Sequence, residues 1–148
     1  MTHTTRVSLE PAWILHQHPY RDSSLLLEVF SRESGRVGLI ARGARSARSR
    51  WQSQLQILRP LSLSWNLRGE LGTLTGAEPR GRVAMLPGRQ VLCACYLNEL
   101  LLRLVTRLDP HPELFSAYEQ ALDGLADNEE QALRLFEKRL LQALGYGL

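Results

Sequence analysis

Apolar and polar residues alternate most regularly where Leu61, Leu63, Trp65 and Leu67 are separated by Ser62, Ser64 and Asn66. A period of two puts one set on each face of a β-strand, one face buried and one wet. Arg68-Gly69 then turns the chain, and Leu71 to Thr75 follows as a partner strand. Upstream, Val7 to Leu15 is rich in β-formers, and Pro11 within it implies an edge position or a bulge. Leu25 to Phe30 and Val37 to Ala41 are short apolar runs. They flank Ser31-Arg32-Glu33-Ser34-Gly35-Arg36, a hairpin loop with Gly35 where positive φ is needed. Five strands within about 75 residues predict a small closed or partly closed barrel, because a single open sheet would leave long edges exposed. Between the third and fourth strands the chain is polar and basic, and its later part (Trp51, Leu55) predicts a short helix.

Beyond Pro87-Gly88 the period changes. From about Arg89 to Leu108 apolar residues occupy nearly every side of a helix, which predicts a central helix packed on several neighbours. Asp109-Pro110 and Pro112 break it. Leu114, Tyr118, Ala121, Leu122 and Leu125 then give a one-faced helix, and Leu133, Phe136, Leu140 and Leu144 a third. Asp127-Asn128 offers that helix an N-cap, and Gly145 sits where a C′ glycine belongs. Pro79, Gly81, Pro87 and Gly88 cluster between the β and α parts. The expected organisation is therefore a β-barrel domain over residues 1–80 and an all-α helical domain over residues 81–148. Helices this apolar usually pack on more chain than two neighbours, so the helical domain is expected to continue past Leu148.

Charge sharpens the division. Between Met1 and Gln90 there are 13 arginines against six acidic residues, and from Val91 onward five cations against nine acids. The net charge of +3 thus hides a basic barrel and an acidic helical part, a split that suggests different partners for the two. All cations but Lys138 are arginine, whose planar fork suits phosphate and stacks on bases. The longest nearly apolar run, Val91 to Leu102, contains Asn98 and Glu99 and is shorter than the roughly 20 residues a bilayer needs. No membrane partner is expected, and no secretory leader is evident in the polar first residues. A reduced, cytoplasmic protein is the expectation.

No phosphate-cradling glycine loop with its lysine, nucleophile elbow or His-Glu-x-x-His pair occurs, so no enzymatic activity and no cofactor are expected. His16-x-His18 lacks an accompanying carboxylate or cysteine cluster, and Cys93-Ala94-Cys95 lies inside a helical pattern where the two side chains diverge; neither is read as a metal site. The segment Arg42 to Trp51 is different. Arg42, Arg45, Arg48 and Arg50 fall within nine residues, separated by small residues and with no acid among them. Such a loop fits a phosphate backbone, with Ser46 and Ser49 as donors and Trp51 as a base-stacking platform. Four phosphate contacts on a single strand would give a salt slope of roughly −3. Trp13 and Trp65 read as core. Arg134 and Arg139 border an apolar stripe where a peptide with an acidic, aromatic end could dock; a surface pairing of Arg134 with Glu130 or another local acid is the simpler reading of that residue. The alternative to nucleic acid is a non-catalytic interaction module whose basic loop grips acidic peptides.

Several segments carry a resemblance. Pro19-Tyr20-Arg21-Asp22-Ser23-Ser24, Ser34-Gly35-Arg36, Ala41-Arg42-Gly43-Ala44-Arg45, Tyr96-Leu97-Asn98-Glu99-Leu100-Leu101 and the ending Leu144-Gly145-Tyr146-Gly147 resemble, in order, the bacterial DNA-repair protein family RecO. The resemblance spans about Val7 to Leu148 and looks like the N-terminal two-thirds of a member. It implies an OB-fold followed by a helical domain, and a recombination mediator that is not an enzyme. Such proteins bind single- and double-stranded DNA and anneal complementary strands. With RecR, and in some bacteria RecF, they help load RecA on DNA coated by single-strand-binding protein, whose acidic C-terminal tail they contact. DNA contact transfers by motif to Arg42 and Arg45, joined by Arg48 and Arg50 through local charge; tail binding falls to Arg134, with Arg139 beside it. A nucleoid-associated location follows. The four-cysteine zinc site of many members has no counterpart in Cys93 and Cys95.

Overall fold

A computed structural model describes residues 4–81 and 86–146. Five strands come first: β1 Thr4–Tyr20, β2 Ser24–Ser31, β3 Gly35–Ala41, β4 Leu61–Arg68 and β5 Leu71–Pro79. Three helices follow: α1 Gly88–Leu104, α2 Pro112–Gly124 and α3 Glu129–Ala143. The strands pair in the order β1-β2-β3-β5-β4 and close back on β1, so each has two neighbours and the sheet is a closed barrel. The closing pairs are antiparallel except β3 with β5, a parallel contact of Gly38, Leu39 and Ile40 with Leu71, Gly72 and Thr73.

Closure depends on β1, which is far longer than the expected strand. Its first half pairs with β4 and its second with β2, and Ala12 faces both Leu61 and Ser31. Two register shifts bend it, one between Val7 and Glu10 and one between Ile14 and His16. At the first, Leu9 adopts φ 47°, and its N–H leaves the ladder to donate to Ser64 Oγ at 2.8 Å. A bulge next to Pro11 was the expected alternative to an edge, and bulges of this kind let a strand turn a barrel corner.

The barrel interior is filled by Ile14, Leu27, Val29, Val37, Leu39, Leu63 and Trp65, among others. Trp13, Leu15 and Phe30 point the other way and join a second core built on α1, α2 and α3. The barrel wall formed by β1 and β2 is therefore buried on both faces, which is why its sequence reads as unbroken apolar runs rather than alternation. β4 is covered on one face only and alternates as expected.

Polar groups tie barrel to helices along this wall. Tyr118, fully buried, donates from its hydroxyl to Asn98 Oδ1, and Asn98 Nδ2 donates to the Leu15 carbonyl at 3.2 Å. Trp13 Nε1 donates to Glu119 at 3.0 Å, and Arg80 pairs with the same carboxylate at 2.9 Å. Around the β2–β3 hairpin, Glu28 is shared by Arg36 and Arg107, while Arg36 Nη1 donates to the carbonyls of Leu102 and Val105. Gly35 has φ 77°, as its place in the loop required.

The helices match the periodicity with two corrections. α1 ends at Leu104 because Val105 turns extended, four residues short of the expected end. It buries only the side carrying Ala94, Leu97, Asn98 and Leu101; Leu92 is 72% exposed, and Tyr96 and Leu104 are also exposed. The helix packed on every side is thus not what the described residues form. Pro112 starts α2, where its missing N–H is no loss. Asn128 caps α3, its side chain accepting from Gln131 N at 3.1 Å, and Gly145 has φ 90°.

Candidate nucleic-acid interface

The basic segment leaves β3 at Ala41 and runs over the barrel surface to a single 3-10 turn, Gln52–Gln54, in place of the expected short helix. Its arginines are exposed, but they differ in what they already hold. Arg42 and Arg48 have no side-chain partner among the described residues. Arg50 lays its guanidinium 4.3 Å over the Trp51 ring and donates from Nη2 to the Thr75 carbonyl at 3.2 Å. Arg45 is the most committed. Its Nε donates to Ser24 O at 2.9 Å, and its Nη2 to Arg21 O at 2.7 Å and Asp22 O at 2.9 Å. All three acceptors are neutral carbonyls, and none of these four arginines pairs with a carboxylate among the described residues.

Trp51 is a correction. It is 4% exposed and belongs to the barrel core, with Leu55 beside it and Arg50 over its ring. In that position it anchors the loop and offers no open face to a base. The mixture of charges and small residues around it hid its role, since a lone tryptophan after four arginines carries no periodicity. Trp13 and Trp65 are core residues, as read.

The tail-binding candidates do not come together. Arg134 is exposed and pairs with Glu137 at 2.6 Å, the same carboxylate that accepts from the Tyr96 hydroxyl on α1. A local acid was the simpler expectation for it; the partner is Glu137 instead of Glu130. Arg139 lies five residues on, about 140° around the helix. It has no partner among the described residues and borders a groove of about 210 Å³ between α2 and α3, floored by Ala121, Ala132, Leu135 and Phe136.

A family model described as "Recombination protein O N terminal" matches residues 6–82, and one described as "Recombination protein O C terminal" matches residues 88–148. The chain belongs to the RecO family. Among similar RecO proteins, "DNA repair protein RecO" of Nitrosococcus oceani is 54% identical over 145 residues, 97% of this chain and 59% of that protein. Its namesake in Alkalilimnicola ehrlichii is 52% identical over 97% of this chain and 57% of its own length. That of Aromatoleum aromaticum is 45% identical over 100% and 62%. The chain therefore spans about three-fifths of the RecO relatives it matches.

Among the described residues, no three His, Cys, Asp or Glu side chains gather as a metal site, and no helix is long and apolar enough to cross a membrane. Cys93 and Cys95 are free and partly buried, and Cys93 packs on the helical core. Burial holds the Cys93 thiol above its ordinary value, helped by the neighbouring Glu129 carboxylate. His16 and His18 lie side by side with ring centroids 5.5 Å apart.

Proposed function

We propose that this chain supplies the DNA-binding barrel and a partner-docking helical unit of a DNA-repair and recombination mediator. The strand order, with its one parallel closure, supports reading the barrel as an OB-fold, and the change from barrel to helices supports the domain division at residues 80–81. The observation that carries the DNA reading is the pair Arg42 and Arg48, charged, exposed and without a side-chain partner among the described residues, on one loop of a RecO-family barrel. Arg50 adds a third cation with nitrogens to spare. An arginine surface of this kind lowers the repulsion between the phosphates of two strands and holds them without reading bases. Annealing of complementary strands would follow from that screening, with no bond made or broken and so no catalytic residue.

The groove beside Arg139 supports docking of an acidic tail with an apolar end, the chemistry of the single-strand-binding protein tail. Arg134, already paired with Glu137, is the weaker of the two candidates. Docking there would raise the local concentration of the barrel near coated DNA. Work with RecR and, in some bacteria, RecF to load RecA belongs to the same proposal and rests on family membership.

The test is fluorescence anisotropy of a labelled single-stranded oligonucleotide across a salt series. The Arg42→Ala/Arg48→Ala double variant should weaken binding for all sequences alike and flatten the log–log salt slope by about 1.4. An unchanged slope removes both residues from the interface.

A further inference from the structure

The Pro19-Tyr20-Arg21-Asp22-Ser23-Ser24 segment has so far no functional role. Its middle, Arg21 to Ser23, forms the turn between β1 and β2. Arg21 sits in the left-handed region at φ 54° and is exposed. Its guanidinium lies 5.1 Å from the Tyr20 ring centroid, a contact that orients the charge without cancelling it. No carboxylate pairs with Arg21 among the described residues, Asp22 included.

The turn is joined to the basic loop mainly by one residue. Arg45 reaches the carbonyls of Arg21, Asp22 and Ser24 with its side chain, and its own N–H donates to the fourth, Ser23 O, at 2.8 Å. Gly43 N–H adds a bond to Ser24 Oγ at 3.3 Å. Four consecutive carbonyls on one element are thus held by a single arginine on another. A planar fork with fixed donors can do this, and a lysine ammonium on a flexible stem cannot reproduce it.

We infer that Arg21 is a further phosphate contact of the nucleic-acid surface, and that Arg45 is a positioning residue that holds Arg21 beside the Arg42–Arg48 loop. The inference rests on the DNA reading given above and assigns within it a residue and a division of labour. Three cations, Arg21, Arg42 and Arg48, are presented by two segments locked together, and Arg45 spends most of its donors on the lock. Only its Nη1 has no protein partner among the described residues.

The experiment is the same anisotropy salt series on the protein with Arg21→Asn, Arg45→Lys, Arg45→Ala and the Arg21→Asn/Arg45→Ala double change. Asparagine tolerates the left-handed backbone, so this exposed change removes the charge and keeps the turn. Arg21→Asn should flatten the salt slope by about 0.7 and weaken binding about fivefold at 0.1 M salt. Arg45→Lys, which keeps the charge, should lose as much affinity as Arg45→Ala. Once Arg21 is gone, Arg45→Ala should cost little more, because the two act through one contact. Amide exchange at Arg45 should rise in both Arg45 variants without DNA present. An unaltered slope in Arg21→Asn overturns the contact. Wild-type-like binding by Arg45→Lys, or additive losses in the double variant, overturns the positioning role. Absence of salt-dependent binding by the unchanged protein would instead overturn the DNA reading itself. Failure of the Arg45 variants to fold overturns the positioning role in favour of a purely structural one, and the Arg21→Asn result then decides the contact.

Discussion

Tyr118 illustrates how a single polar atom can fix the seam between barrel and helices. Its ring packs edge-on against Trp13, Phe30 and Phe136, and its hydroxyl satisfies Asn98, which in turn satisfies the Leu15 carbonyl on β1. Removing the hydroxyl leaves the buried Asn98 oxygen without its donor. Tyr118→Phe should therefore destabilise the protein by about 1–3 kcal/mol in urea unfolding, more than the loss of an average hydrogen bond. The same burial pushes the phenol well above its ordinary value of 10. The folded state thus prefers the protonated form, so stability is intact below pH 10 and falls above it as the unfolded chain ionises. Tyr118→Phe should lack that part of the alkaline loss, and comparing the two stability–pH curves between pH 9 and 11 checks it. Tyr118 was visible in the sequence as one member of an apolar stripe. Its partnership with Asn98, 20 residues earlier on another helix, was not, because helical spacing says nothing about which faces meet.

The β2–β3 hairpin shows the same limit one level up. Gly35 was readable as a left-handed turn residue from the loop around it. What the loop could not show is that a Cβ there would meet the Asp109 carbonyl oxygen at 2.7 Å, in the segment after α1. Gly69 provides a control, with φ 71° and open space around it. Gly69→Ala should cost about 1–2 kcal/mol from backbone strain alone. Gly35→Ala should cost about 2–4 kcal/mol, because backbone atoms must also move. Chemical denaturation of both variants separates the two contributions. Strand and helix positions were largely legible, since burial on one face writes its period into β4, α2 and α3. The extent of β1 was not. Its last four residues, Gln17 to Tyr20, are held by pairing with β2 and carry no apolar pattern of their own. The early end of α1 was hidden for the opposite reason: Val105 and Leu108 continue the apolar run while the backbone has already turned to meet Arg36.

At the scale of the whole molecule the arginine excess divides into two populations. Arg36, Arg80 and Arg107 are spent on the barrel–helix seam, pairing with Glu28 and Glu119, while Arg42 and Arg48 remain open on the barrel loop. Composition could count these residues but could not sort them, since the partners lie 8, 39 and 79 positions away in the chain. Sorting them places the two proposed ligand surfaces on different units. The proposed polyanion surface comprises the β1–β2 turn and the loop after β3. The groove beside Arg139 is lined wholly by α2, α3 and the turn joining them. An acidic peptide ending in an aromatic residue should therefore bind without displacing a labelled oligonucleotide. Anisotropy of the protein–DNA complex should stay constant as the peptide is added at low salt, and Arg139→Ala should weaken the peptide while leaving DNA affinity within about twofold. Arg42→Ala/Arg48→Ala should do the reverse. Release of the oligonucleotide by peptide would favour one shared basic surface, the behaviour of a module whose loop grips acidic peptides. Independent binding is what the proposed mediator role requires, because that role has the protein hold the strand and the protein coating that strand at the same time.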